Sequence, residues 1–128
     1  MKANFAYVVV EDNAGANTLK RLLPRTLAGK TRFVIADAKG SAVSDARTIL
    51  VLKKRPLALV VDADANDESS VKERRETLRQ LLRNVAPGVA CEAFVAVPTV
   101  EELARKGAAV DKIALVEELS AFLKSASS

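Results

Sequence analysis

Residues 57–64 read LALVVDAD, in which five consecutive apolar residues lead directly into two aspartates that are separated by one alanine. An uninterrupted apolar run of this length, rich in valine and leucine, is typical of a strand buried on both faces of a parallel sheet. Residues 5–10 repeat the pattern as FAYVVV, and Glu11 follows at once. We therefore predict two central parallel strands that each end in acidic residues.

Strand and helix patterns alternate on both sides of these two runs. Further strands are predicted at 31–36 and 93–97. Helices are predicted around 19–27 with a break at Pro24, over 44–52, over 70–84, from 99 onward and over 115–123. Asn17 or Thr18 is expected to cap the first helix. This alternation predicts an α/β fold, with a mostly parallel sheet of about four strands and helices on both of its faces.

The size and composition of the chain are those of one globular domain. Its 128 residues are 49% hydrophobic and 28% charged, so we predict a single domain over 1–128 with an ordered core at about 4–123. The longest apolar run is far shorter than the ~20 residues that cross a bilayer, and the first residues lack a signal-peptide pattern. We therefore expect a cytoplasmic protein with no membrane partner.

Histidine is absent from the sequence, and cysteine occurs once, at Cys91. The usual general base near neutral pH and the commonest ligand of zinc, copper and iron are therefore excluded. Cys91 cannot form an internal disulfide and is expected to be a core thiol. Any chemistry must depend on carboxylates, lysines and hydroxyls, and carboxylate oxygens favour hard cations such as Mg²⁺ and Mn²⁺.

Three acidic residues follow the two central strands: Glu11 after the first, and Asp62 and Asp64 after the second. In open α/β sheets, ligands bind at the carboxyl edge of the strands, where the strand order reverses. Three neighbouring carboxylates repel one another unless a cation compensates their charge. We therefore predict that Glu11, Asp62 and Asp64 form a site for Mg²⁺ or Mn²⁺.

Helix capping is the alternative explanation for acidic residues that follow strands. An Asp side chain commonly accepts a hydrogen bond from the first N–H groups of a helix, and acids in the first turn interact favourably with the helix dipole. For Asp12, Asp67 and Glu68 taken singly, capping is the favoured interpretation. For the group of three acids described above, the metal site is favoured.

Four short motifs together resemble the Toprim domain of topoisomerases, primases and overcoming-lysogenization-defect nucleases. Val8-Val-Val-Glu11 is similar to the first motif, and Ala38-Lys-Gly40 to the turn that follows the second strand. Leu59-Val-Val-Asp-Ala-Asp64 is similar to the second motif, which ends in Asp-x-Asp. Val97-Pro-Thr-Val-Glu101 resembles a Pro-x-x-Glu element of the nuclease-like branch. The resemblance covers nearly the whole chain and implies a Toprim-like, Rossmann-like sheet.

The resemblance also implies metal-dependent cleavage of nucleic-acid phosphodiesters. The implied metal ligands are Glu11, Asp62, Asp64 and Glu101, and the implied catalytic residues are Glu11 and Lys39, with Lys39 contacting the phosphate. Two positions depart from the family pattern. Asp12 stands where glycine usually follows the first glutamate, and Gly15 stands where a second acid often lies.

A response-regulator receiver domain is an alternative, because residues 9–13 (VVEDN) and 57–62 (LALVVD) also resemble that family. The residues implied in this case are a phosphoacceptor, two Mg²⁺ ligands, a switch hydroxyl and a lysine: Asp62, Glu11, Asp12, Thr99 and Lys112. The interval between Thr99 and Lys112 is too short for a helix followed by a full strand, which disfavours this alternative.

A third hypothesis is a non-catalytic interaction module that keeps its acidic residues for structure. The helix predicted over 70–84 carries four arginines beside glutamates: Arg74, Arg75, Arg79 and Arg83. A solvated mixed-charge face is the favoured interpretation, and a surface for nucleic acid or a partner protein is the alternative. The net charge of +4 is compatible with nucleic acid as a partner. A domain of this size is expected to act with a partner protein or as a homo-oligomer.

Overall fold

A computed structural model describes residues 5–62, 67–96 and 109–127 of the protein. Within these ranges the chain forms four strands: β1 (Ala6–Val10), β2 (Thr31–Ile35), β3 (Leu57–Asp62) and β4 (Cys91–Ala96). It also forms five α-helices: α1 (Asn13–Leu22), α2 (Arg25–Gly29), α3 (Ala42–Lys53), α4 (Glu68–Val85) and α5 (Ala109–Ser127). A 3₁₀ turn at Lys39–Ser41 lies between β2 and α3. None of the helices in these ranges has the length and apolar character needed to span a membrane.

All four strands pair in parallel, in the order β2-β1-β3-β4. Val9 of β1 lies between Val34 of β2 and Leu59 of β3, and Val60 lies opposite Phe94 of β4. The apolar runs of β1 and β3 therefore occupy the two central positions, where both faces of a strand are covered. The predicted α/β fold with a four-stranded parallel sheet is confirmed.

Helices cover both faces of the sheet, as predicted. Val8, Val10 and Val60 pack in one layer with side chains of α1, α2 and α5. Val9 and Leu59 pack in the opposite layer with side chains of α3 and α4. Because successive side chains of a strand point to opposite faces, each continuous apolar run contributes to both layers.

Helix α1 begins earlier than predicted, because Asp12 is its N-cap. The backbone of Asp12 is extended, with φ of −152°, and its Oδ1 accepts the N–H of Gly15 at 2.8 Å. The predicted caps, Asn17 and Thr18, are wrong, since both lie inside the helix and Thr18 is 3% exposed. An aspartate directly after a strand meets the N-cap geometry before the apolar periodicity of the helix starts.

The boundaries of α3 and α4 lie within two residues of the predictions, whereas those of α5 do not. Pro24 separates α1 from α2, because its ring cannot continue the hydrogen-bond ladder. Helix α3 covers Ala42–Lys53 against the predicted 44–52. Helix α5 is longer than the predicted 115–123. The helix predicted from 99 onward begins outside the described residues.

Candidate functional site

The strand order reverses at the centre of the sheet, between β1 and β3. After β1 the chain adds β2 on one side, and it then returns to add β3 and β4 on the other side. The adjacent carboxyl ends of β1 and β3 form the crevice in which open α/β sheets bind ligands. Glu11 follows β1 and Asp62 ends β3, so the structure brings these two predicted site residues together.

A short hydrogen bond joins the two residues: the backbone N–H of Asp62 donates to Glu11 Oε1 at 2.7 Å. The N–H of Leu57 donates to Ala90 O, on the β4 side of β3. Alternate N–H groups of a strand point to opposite neighbours, so the N–H of Asp62 points towards β1. Since β1 ends at Val10, the Glu11 carboxylate replaces the backbone acceptor that a longer β1 would provide.

Both residues of this pair are half-buried. An N–H bond to a charged carboxylate is shorter and stronger than one to a neutral oxygen, and partial burial strengthens it further. The bond therefore fixes the Glu11 side chain at the crevice and holds the end of β3 beside the turn that leads into α1. Asp62 has the same parity in β3 as Ala58 and Val60, which face α1, α2 and α5.

The carboxylate oxygens of Glu11 and Asp62 are of the kind that binds Mg²⁺ or Mn²⁺. Mg²⁺ commonly keeps several waters and takes one or two carboxylates together with phosphate oxygens of a substrate. Within the described ranges, no group of three or more His, Cys, Asp or Glu residues is placed to hold a metal ion. The predicted ligands Asp64 and Glu101 lie outside those ranges. The described part of the predicted site therefore consists of Glu11 and Asp62.

Lys39 opens the 3₁₀ turn that follows β2, so its backbone lies at the same carboxyl edge of the sheet. Ser41 fixes this turn, because its Oγ accepts the N–H of Ala38 at 2.9 Å and donates to Asp45 Oδ2 at 3.1 Å. The side chain of Lys39 lies outside what the structure describes. Its predicted contact with a phosphate stays a prediction.

Capping is confirmed for two of the acids that follow strands. Asp12 caps α1, and Asp67 caps α4 by accepting the N–H of Ser70 at Oδ2, 3.0 Å away. Hydrogen bonds from Ser70 hold the pKa of the Asp67 carboxyl below its ordinary value. Glu68 lies in the first turn of α4. The N-caps of α1 and α4 are therefore Asp12 and Asp67, and neither Glu11 nor Asp62 caps these helices.

Two of the four arginines on α4 cover the open edge of β4, which the sequence did not indicate. Arg75 Nε donates to Ala93 O at 2.8 Å, and its Nη1 lies 3.2 Å from Glu118 Oε1 of α5. Arg79 Nε lies 2.7 Å from Glu92 Oε1, and this bond raises the pKa of Arg79 above its ordinary value. Paired charges of this kind protect an edge strand from pairing with other chains.

Cys91 begins β4, at the opposite end of the sheet from the crevice. Its side chain is buried, as predicted, and burial raises the pKa of the thiol. Since the thiolate is the nucleophile, a buried thiol with a raised pKa is unreactive at neutral pH.

Two variants of Glu11 are expected to separate its structural role from its charge. Glu11→Ala removes the acceptor of the Asp62 N–H, and the free energy of unfolding should fall by about 1–2 kcal/mol. Glu11→Gln keeps a side-chain oxygen that can accept the same bond, so most of this loss should be avoided. Urea denaturation of the two variants and the wild type measures the difference. Equal stability of all three proteins would show that the bond contributes nothing.

Comparison of the chain with protein-family models, with curated proteins and with solved structures finds no match.

Proposed function

We propose that this chain is a Toprim-like domain that binds Mg²⁺ at Glu11 and Asp62 and acts on nucleic-acid phosphodiesters. The observation that carries the proposal is the 2.7 Å hydrogen bond between Glu11 Oε1 and the Asp62 N–H, at the point where the strand order reverses. This bond fixes the Glu11 carboxylate beside the end of β3, at the ligand-binding edge of the sheet. The motif resemblance supplies the choice of reaction.

Each residue has a distinct part in the proposed mechanism. Mg²⁺ bound at this site would stabilise negative charge on a phosphate and lower the pKa of an attacking water. Glu11 and Asp62 would hold the cation, and the bond to the Asp62 N–H would keep Glu11 from rotating away. Lys39, from the turn after β2, would contact the phosphate undergoing cleavage. Asp64 and Glu101 would complete the ligand set.

The position of Asp12 supports this proposal over the receiver alternative. A receiver needs the Asp12 carboxylate as a Mg²⁺ ligand. Here its Oδ1 accepts the Gly15 N–H at 2.8 Å, and breaking this bond would leave the first turn of α1 uncapped. Loss of an N-cap costs about 1 kcal/mol.

Nucleic acid is the proposed partner, together with a protein partner or a second copy of the chain. In the part of the chain that the structure describes, Arg75 and Arg79 pair with Glu118 and Glu92 of the same chain, which reduces the charge that α4 can offer to phosphates. The complementary surface is therefore proposed to come from another chain.

Incubation of the purified protein with labelled DNA and RNA, single- and double-stranded, tests the proposal. We expect cleavage with Mg²⁺ or Mn²⁺ and none with EDTA. Asp62→Asn should lower the rate by about a hundredfold or more, because a metal ligand supports several kcal/mol of transition-state stabilisation. Asp67→Asn is the matched control, since it removes an equal charge nearby while asparagine still caps α4.

Three outcomes would contradict the proposal. Cleavage that persists in Asp62→Asn would place the activity elsewhere or in a contaminant. Absence of cleavage on every substrate, combined with phosphorylation of Asp62 by a small phosphodonor such as acetyl phosphate, would favour the receiver. Absence of both reactions would favour the non-catalytic module.

A further inference from the structure

Basic residues lie close together at the edge of the sheet where its parallel strands begin. Lys30 and Arg32 lie at the start of β2, and Arg55 comes two residues before β3. Lys53 ends α3 and Lys54 is its C-cap, so both lie at the same edge. Arg55 is half-buried, and the other four side chains are exposed. We refer to these five residues as the basic amino edge.

The chain segments that form this edge contain no acidic residue. Residues 13–36, which include β2, and residues 46–61, which include the end of α3 and most of β3, have no Asp or Glu. In the part of the chain that the structure describes, neither Lys30 nor Arg32 forms an ion pair with an acid. The positive potential of the edge is therefore not cancelled by neighbouring carboxylates.

The dipoles of the helices explain only part of this arrangement. A positive charge is favourable in the last turn of a helix, where Lys53 lies. Arg32 lies in β2, and the side chain of Arg55 donates to Phe5 O, so helix ends do not account for these two arginines. An anionic ligand would account for them.

A single aromatic ring holds the same two arginines beside each other. The guanidinium carbon of Arg32 lies 4.3 Å from the centroid of the Phe5 ring, and that of Arg55 lies 4.0 Å from it. Nε and Nη2 of Arg55 donate to Phe5 O at 3.3 and 3.2 Å. The ring attracts both cations, and this attraction opposes their mutual repulsion. Guanidinium groups bind phosphate oxygens in a bidentate manner, so the pair favours a phosphate ligand.

We propose that the basic amino edge binds the sugar-phosphate backbone of nucleic acid without regard to base sequence. The positive charges extend from β2 to β3, which suits a polymer that carries a phosphate at every unit. The Phe5 ring already contacts Arg32, Arg55 and Tyr7, so it is not available to stack on a base. Contacts to phosphates alone position a nucleic acid and carry no sequence information. The choice of nucleic acid as the polymer rests on the proposed function.

The basic amino edge and the crevice lie at opposite ends of β1, about 15 Å apart along its five residues. The edge would therefore bind a part of the polymer away from the phosphate undergoing cleavage, and the surface beside the crevice is still proposed to come from another chain. A phosphate approaches the carboxylates of the crevice only when a cation is present. Binding at the basic amino edge involves no carboxylate, so it should not require Mg²⁺.

The test measures binding of the full-length protein to fluorescein-labelled DNA by anisotropy, in EDTA and at several salt concentrations. A short duplex, a single strand of the same length and a duplex of unrelated sequence are compared. We expect saturable binding without metal, with Kd values for the two duplexes that agree within about threefold. A plot of log Kd against log salt should have a slope of about 3–4, because about four phosphates are contacted.

A pair of double variants locates the surface. Lys30→Gln combined with Arg32→Gln should weaken binding of the duplex about tenfold or more and lower the salt slope by about 2, because two phosphate contacts are lost. Lys72→Gln combined with Arg74→Gln is the matched control, since it removes two exposed charges from the first half of α4. Its Kd should change less than about threefold. Circular dichroism confirms that both variants are folded.

Several outcomes would overturn the inference. Absence of saturable binding in EDTA would remove it, and equal losses in the two double variants would show that only net charge matters. Binding of polyglutamate as tight as that of DNA would favour an acidic protein as the partner. Salt-sensitive self-association that the Lys30→Gln, Arg32→Gln variant abolishes, measured by sedimentation velocity, would favour a second copy of the chain. Binding in EDTA by a protein that cleaves no substrate would support this inference and contradict only the proposed reaction.

Discussion

Asp62→Asn is expected to lower the affinity of the protein for Mn²⁺ by about tenfold to a hundredfold or more, measured by calorimetry at neutral pH. Loss of a group that only orients a metal ligand costs a factor of that size, so loss of a ligand itself should cost at least as much. The substitution keeps the shape of the side chain and the backbone N–H that donates to Glu11. The folded structure should therefore be retained.

Three further variants show whether this loss is specific. Asp67→Asn and Asp12→Asn each remove one nearby negative charge while keeping an N-cap, so affinity should change less than about threefold. Asp64→Asn distinguishes the two metal-binding alternatives, because a Toprim-like site uses this side chain as a ligand and a receiver does not. An equal loss in Asp62→Asn and Asp67→Asn would show that Mn²⁺ responds only to the general negative charge of this edge.

Leu59→Ala is expected to lower the free energy of unfolding by about 3 kcal/mol, which is the largest effect on stability that we expect. Leu59 is fully buried at the centre of β3, between Val9 of β1 and Ala93 of β4. Its removal loses apolar burial and leaves a cavity in the layer that α3 and α4 cover. Urea denaturation measures the change.

Leu52→Ala provides the control for this experiment. It is the same chemical change at a residue that is 72% exposed, so stability should change by less than about 0.5 kcal/mol. Equal losses in the two variants would contradict the placement of β3 as one of the two central strands of the sheet.

The strands and the layer arrangement could be predicted because they depend on local apolar runs. A continuous apolar run such as residues 57–61 is typical of a strand that lies between two other strands and is covered by helices on both faces. The order of the strands could not be predicted with the same means. The order depends on the side of β1 on which each later strand is added. Contacts between residues distant in sequence determine that side.

The sequence predicts which residues of the candidate site lie close together, but it does not predict how they contact one another. The carboxyl ends of two central parallel strands must lie close together, so the proximity of Glu11 and Asp62 followed from the pattern. Their hydrogen bond did not, because it depends on β1 ending before β3 does. The start of α1 was predicted too late, because its apolar periodicity begins only at Leu19, whereas Asp12 caps the helix.

The contacts of the α4 arginines could not be predicted from the sequence either, because they join residues that are distant in sequence. The spacing of Arg75 and Arg79 places both on one side of the helix, but the sequence does not say which strand lies there. Glu92 on an edge strand was the available signal, because a charge in an otherwise apolar strand often protects an open edge.

Paramagnetic broadening by Mn²⁺ tests most directly whether a cation binds at the crevice. The ¹⁵N-labelled protein is titrated with substoichiometric Mn²⁺, and the loss of each amide signal reports its distance from the ion. We expect the amides of Glu11 and Asp62 and their immediate neighbours to disappear at the lowest Mn²⁺ concentration, before those of Asp37, Asp45 and Asp67. Broadening that is uniform, or that centres on those other acids, would contradict a metal site between β1 and β3.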